Sequence, residues 1–231
     1  MNMKYFLSIL LISFSIEVLG QNPVRQDEDI KPPEYVTDID GNQNPVATIG
    51  DQVWLAENLR TLHFNNGDPI PTTYPITRNI QNKSLPVYQW SYEGVEKNLE
   101  TYGALYTWAA ANDERGLCPP GWHIPSKEEW NKLFEYLGGH SEAGGKMKEA
   151  GSQHWSEPNV GATNESGFNA LPSGGKAPEG SFQGIGVHTS WWMTTPGHFI
   201  NIEYDDPYVY HPYFYQSEYY CFPARCIRDN R

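Results

Sequence analysis

One stretch of this chain admits a single structural reading. Ser126 stands three residues before Glu129, the spacing at which a hydroxyl and a carboxylate satisfy each other's backbone N–H groups at a helix start. Trp130, Leu133, Phe134 and Leu137 follow at i, i+3, i+4 and i+7, so one face of that helix is apolar. Gly138-Gly139 stops it. Upstream the pattern has another period. Tyr35-Val36-Thr37-Asp38-Ile39, an Asp40-Gly41-Asn42 turn, Val46–Ile49, a Gly50-Asp51 turn and Val53–Leu59 read as a β-meander. Residues 63–100 carry several Pro and Asn and no strong periodicity, so they read as an irregular insertion. Leu105, Trp108 and Ala109 share one helical face and predict a helix over 102–112; a weaker one over 142–149 contains Gly144-Gly145. Residues 151–190 are rich in Gly, Asn and Ser and predict a long ordered loop or poor strands. The tail from Trp191 to Arg228 alternates enough for three or four strands. Strands, helices, a long loop and strands again predict an α+β fold: a mainly antiparallel sheet with two to three helices on one side.

Met1–Gly20 has a basic start at Lys4, an uncharged run over Tyr5–Ile16 and small residues at its end, the three-part pattern of a secretory signal peptide. That run is too short for a membrane-spanning helix, which needs about 20 residues. Residues 21–34 are polar and Pro-rich and read as a flexible linker, leaving one domain over 35–229. The expected location is outside the cell: secreted, at the cell surface or in a periplasm, with no membrane insertion once the leader is removed. The chain carries 28 acidic and 16 basic residues, a net charge of −12. Nucleic acid and anionic membranes demand basic patches, so neither is expected as a partner. Three cysteines, Cys118, Cys221 and Cys226, imply one bridge and one leftover thiol in an oxidising compartment.

Several motifs carry a resemblance. Asp38–Asn42 and Thr48–Leu59 come first, then Cys118-Pro119-Pro120-Gly121-Trp122-His123-Ile124-Pro125-Ser126 with Glu129-Trp130. Gly161–Gly174, Trp191-Trp192 and Arg225-Cys226-Ile227-Arg228-Asp229 complete the series. In this order, over roughly 37–229, they resemble the Fibrobacter succinogenes major paralogous domain family. Such domains occur in secreted and surface proteins of Bacteroidetes-type bacteria. The resemblance implies a fold related to C-type lectins and to the formylglycine-generating enzyme, and it implies a bridge between Cys118 and Cys226. The chain departs from the family pattern at Tyr220–Ala224 and Met193-Thr194-Thr195, and 204–220 is unusually rich in tyrosine.

The expected function is non-catalytic binding of an extracellular glycan, or of a surface protein. Tyr204, Tyr208, Tyr210, Tyr213 and Tyr215 are candidate ligand contacts, because aromatic faces stack on sugar rings and phenol hydroxyls add hydrogen bonds; strands also favour tyrosine for packing alone. Glu157-Pro158-Asn159 with Glu165 resembles the calcium-ligating set of sugar-binding C-type lectins, and oxygens of this kind suit calcium. Asn159 belongs to both candidate sets, whereas an ordinary polar turn gives the same triplet. No cofactor is otherwise expected. The alternative is a copper-dependent oxidoreductase resembling the formylglycine-generating enzyme and using Cys221 and Cys226, since soft thiolates suit Cu(I). A purely structural surface module is the third reading. His123 has no second histidine at a metal-ligand spacing and reads as a packed residue, and Trp54, Trp122, Trp130, Trp191 and Trp192 read as core.

Overall fold

The computed structural model describes residues 34–81, 84–212 and 217–229. The leader and all of the linker but Glu34 lie outside them, as do Tyr213 and Tyr215. The fold is α+β, with twelve short strands and four short helices among the described residues. The meander forms as expected: β1 (Tyr35–Thr37), β2 (Gln43–Ile49) and β3 (Gln52–Leu55) pair antiparallel in sequence order. Asp38 closes the first turn by accepting from the N–H groups of Asp40 and Asn42.

The described residues of 63–88 are largely irregular, followed by β4 (Gln89–Trp90) within the stretch expected to be irregular and α1 (Glu96–Tyr102) at its end. The helix expected over 102–112 does not form as one element. Leu105–Thr107 is a strand, β5, buried on both faces between β4 and a late strand. Only Trp108–Ala111 makes a helical turn, α2, capped by the Thr107 hydroxyl. Gly103 enforces the break. Its φ is +80°, and a Cβ there would lie 2.7 Å from the Leu59 carbonyl oxygen. The apolar spacing Leu105–Trp108–Ala109 is the sum of a buried strand and one turn, and strand pairing overrides it.

A two-residue strand, β6 (Trp122–His123), leads into α3 (Lys127–Tyr136). The capping box is present: the Glu129 N–H donates to Ser126 Oγ, and the Ser126 N–H donates to the Glu129 carboxylate. Trp130, Leu133 and Phe134 are buried. The weaker helix also forms, as α4 (Ala143–Met147). After an irregular stretch the chain makes β7 (Ser173–Lys176), β8 (Phe182–Ile185), β9 (His188–Trp192) and β10 (Phe199–Glu203), then β11 (Cys221–Phe222) and β12 (Ile227–Arg228).

Two sheets result where one was expected. The first has the order β1-β2-β3-β12-β6; the second has the order β10-β9-β7-β11-β5-β4, with β8 paired to β7. Between these strands pairing is antiparallel except for one parallel bridge, Gly174 to Thr189, between β7 and β9. The main core lies among Trp54, Trp130, Phe134, Phe168, Trp191 and Ile227, with α3 and α4 supplying one side. Trp122, expected as core, is only partly buried, at the edge of a second core. Cys118 and Cys226 are bridged, as the resemblance implied, tying the segment before β6 to the segment before β12. Beside the bridge, Arg225 is fully buried; its guanidinium donates to the carbonyls of Leu55 and Phe168 and to Asn58 Oδ1, and it lies 4.1 Å above the Phe168 ring. No described helix is long and apolar enough to cross a membrane.

Candidate functional site

Three of the segments singled out in the sequence meet around α4. The first is the tyrosine tail. After β10 the chain turns at Asp205-Asp206 and comes back beside its own strand, so that Asn201 and Tyr210 exchange backbone hydrogen bonds of 3.0 and 2.9 Å. Val209 points inward to the main core and is buried. Its neighbours therefore point outward: Tyr208 is 46% exposed and Tyr210 40%. Their rings stand 6.2 Å apart at 78°, forming an open corner. Asp206 fixes both residues. It accepts from the Tyr208 N–H at 2.8 Å and from the Tyr210 hydroxyl at 2.6 Å. That hydroxyl bond, with burial and the nearby carboxylates adding to it, pushes the Tyr210 phenol up to about 12. Tyr204, by contrast, packs against the main core and presents little surface.

The second segment is the loop holding Glu157-Pro158-Asn159. Glu157 is exposed, with Ser152 Oγ 3.5 Å from its carboxylate, and its bond to Pro158 is cis. Asn159 is buried and turns inward, donating from Nδ2 to the carbonyls of Glu149 and Gly151. Val160 then donates to the Tyr204 carbonyl at 2.8 Å, joining this loop to the tail. The third segment carries Glu165, which is ion-paired with Lys146 of α4 at 3.3 Å. The carboxylate of Glu165 and the amide nitrogen of Asn159 thus have different partners, while Asn159 Oδ1 is buried without a hydrogen-bond partner among the described residues. Among the described residues no cluster of three His, Cys, Asp or Glu is arranged to hold a metal ion.

What lets these loops converge is the pair of glycines that made α4 look weak. A Cβ on Gly144 would fall against the carbonyl oxygen of Tyr208 and lie 2.8 Å from that of Pro207. A Cβ on Gly145 would lie 2.5 Å from the carbonyl oxygen of Gly161. The backbone of α4 is therefore in direct contact with both loops, and the Gly145 N–H donates to the Pro207 carbonyl at 3.1 Å. Just past the helix, Lys148 is wholly excluded from solvent, and its ammonium donates to the carbonyls of Val160, Glu203 and Asp206, each at 2.9 Å. Sequence reasoning missed Lys148, because a lysine in Gly-Lys-Met-Lys-Glu reads as a solvated side chain. Beside the tyrosine corner, Asn201, Glu203, Tyr210, His211 and Pro212 line a groove of about 370 Å³. Burial and the neighbouring His140 hold the His211 imidazole down to about 4, so it is neutral at ordinary pH. Among the described residues the groove offers aromatic surface and the Glu203 carboxylate, and its lining holds no lysine or arginine.

Cys221 lies elsewhere, fully buried in a small cluster with Trp90 and Leu105. Burial pushes its thiol up to about 12, the reverse of what a nucleophile or metal ligand needs. With Cys226 held in the bridge to Cys118, the two residues do not present a pair of thiols. His123 is half-exposed and bridges Asp229 at 2.6 Å and Glu129 at 2.9 Å, joining the segment after β12 to the cap of α3.

No curated protein and no solved structure matches the chain significantly. A family model does match, over residues 47–228, and these span the end of β2, β3, the disulfide, α3, α4 and the last strand. The chain belongs to the Fibrobacter succinogenes major domain family.

Proposed function

We propose that this chain is a secreted or surface-exposed, non-catalytic binding module for an extracellular glycan, built on a C-type-lectin-like α+β scaffold. The observation that carries the reading is the corner made by Tyr208 and Tyr210, two exposed rings on backbone whose N–H groups over 208–210 donate to Asp206, His140 and Asn201. Fixed aromatic faces bind a sugar ring at little cost in ordering. Glu203 in the adjoining groove supplies a carboxylate acceptor for hydroxyl groups, oriented by a hydrogen bond from the buried Asn201 amide. The disulfide supports an oxidising, extracellular setting. Ligand identity is tested by affinity electrophoresis of the full chain through gels cast with xylan, mannan, dextran or mixed-linkage glucan. One of these polymers retards the protein, and Tyr208→Ala with Tyr210→Ala weakens retardation about tenfold, the equivalent of about 1.4 kcal/mol. Because both rings are exposed, the double variant melts within a few degrees of the parent. Retardation should change little between low and high salt, since no cation–anion pair is involved. A double variant retarded like the parent would remove the tyrosine corner from the binding site.

A further inference from the structure

We infer that the buried ammonium of Lys148 does here what a bound metal ion does in other loop-built sites: it locks the 157–162 loop to the 203–210 loop and sets where Tyr208 and Tyr210 stand, so ligand binding requires this charge and does not require calcium. The inference rests on the reading of the tyrosine corner as the binding face. A lysine fully removed from water is rare and costly unless every donor is used. Lys148 uses all three, on carbonyls drawn from both loops: Val160 from one, Glu203 and Asp206 from the other. Two of these carbonyls belong to residues that also hold the ligand face directly. Asp206 carries the carboxylate bound to Tyr208 and Tyr210, and Glu203 lines the groove. A cation ringed by carbonyl oxygens from separate loops is the arrangement by which calcium organises such sites. Here the charge is covalently part of the chain; Glu165 is paired with Lys146, and Asn159 donates from Nδ2 to two backbone carbonyls while its Oδ1 is buried without a hydrogen-bond partner among the described residues.

The charged and titratable groups around Lys148 are the carboxylates of Asp205 and Asp206 in the tail, Glu203 at the end of β10, and the Glu149–His154 pair in the adjoining loop; the ring of Trp155 lies 5.4 Å from the ammonium. Burial pulls Lys148 down to about 8, against 10.5 for an ordinary lysine, although the two aspartates oppose the shift. The folded pKa is thus below the unfolded one. Between about 8 and 10.5 the unfolded chain holds a proton that the folded chain lacks, so this group's contribution to global stability rises with pH. By the same linkage, an opened state that lets water reach the amine has the higher pKa, so raising the pH does not open the staple. Lys148 is therefore tested by substitution at pH 7, where it is charged: a merely structural lysine would leave the binding of the folded variant unchanged.

The experiment uses the full chain, the retarding polysaccharide among xylan, mannan, dextran and mixed-linkage glucan, and hydrogen exchange of the 203–210 amides at pH 7, where Lys148 carries its charge. Expected for the parent are slow exchange in 203–210 and no response of binding to EDTA. Lys148→Met binds about tenfold more weakly at pH 7, with faster exchange in 203–210. Lys148→Ala recovers binding with propylammonium and not with 1-propanol. A folded Lys148→Met that binds like the parent, or binding abolished by EDTA, overturns the inference. Should no polysaccharide retard the parent, the binding reading fails by itself; equal exchange of 203–210 in parent and Lys148→Met then overturns the role of Lys148, and faster exchange in the variant sustains it. If neither variant folds, the parent still decides, since binding abolished by EDTA overturns the inference and binding unaffected by EDTA sustains it.

Discussion

Trp130 sits at the centre of an aromatic cluster, its ring 4.7 Å from Trp54, 5.8 Å from Phe134 and 5.9 Å from both Phe168 and Trp191. Ser126, one turn earlier, touches none of them and acts only through backbone and side-chain hydrogen bonds at the helix start. The two residues belong to the same helix, yet they hold it by different means and with different strengths. Trp130→Ala leaves a cavity in a packed interior and is expected to cost about 3–5 kcal/mol. Ser126→Ala removes one cap and is expected to cost about 1 kcal/mol. Urea unfolding of the two variants measures both. Equal small losses would mean that the cluster relaxes around the missing indole. Both roles were legible in the sequence because both are local: the cap is a three-residue spacing, and the buried face is a repeat of 3.6. Lys148 and Arg225 were not legible, because what keeps each in the interior is a set of carbonyls from distant segments.

At the scale of the element, α4 inverts the usual rule for glycine. In a solvated helix Gly→Ala stabilises, by up to about 1 kcal/mol, because alanine is the better helix former. In α4 the added methyl of Gly144→Ala would strike the carbonyls of Tyr208 and Pro207, which belong to the loop bearing the candidate ligand contacts. The expected outcome is a net destabilisation of about 1–3 kcal/mol, from overpacking, read from thermal or guanidinium unfolding. A stabilised variant would show that the loop does not rest on this helix. Sequence periodicity recognised α4 as a weak helix and α3 as a strong one, but it assigned Leu105–Thr107 to a helix when the segment is a central strand. Short elements buried on both faces carry no period of their own, and their type is decided by the partners that flank them. For β5 those partners are β4 and β11, and β11 lies more than a hundred residues away in sequence.

For the whole molecule the disulfide is the longest-range covalent constraint, closing a loop of 108 residues between Cys118 and Cys226. In the chain-entropy model a loop of that length stabilises the fold by about 4–5 kcal/mol, with measured gains often smaller. Cys118→Ala with Cys226→Ala, compared with the parent in guanidinium, is expected to lose several kcal/mol while keeping the same fold. A loss under about 1 kcal/mol would mean that the unfolded chain is already compact around that segment. The number of sheets was not legible from the sequence. The meander predicts a sheet by itself, but nothing local reveals that its third strand takes its other neighbour from residues 227–228. That pairing has a consequence for how the chain is made. β12, the buried guanidinium of Arg225 and the thiol of Cys226 all lie within four residues of sequence, and each completes a structure begun some sixty to nearly two hundred residues earlier. A nascent chain emerging from the ribosome therefore holds a meander with an open edge, two carbonyls awaiting a donor and a thiol without its mate. Order of synthesis and order of completion run against each other, so this domain cannot close before residues 225–228 have been made.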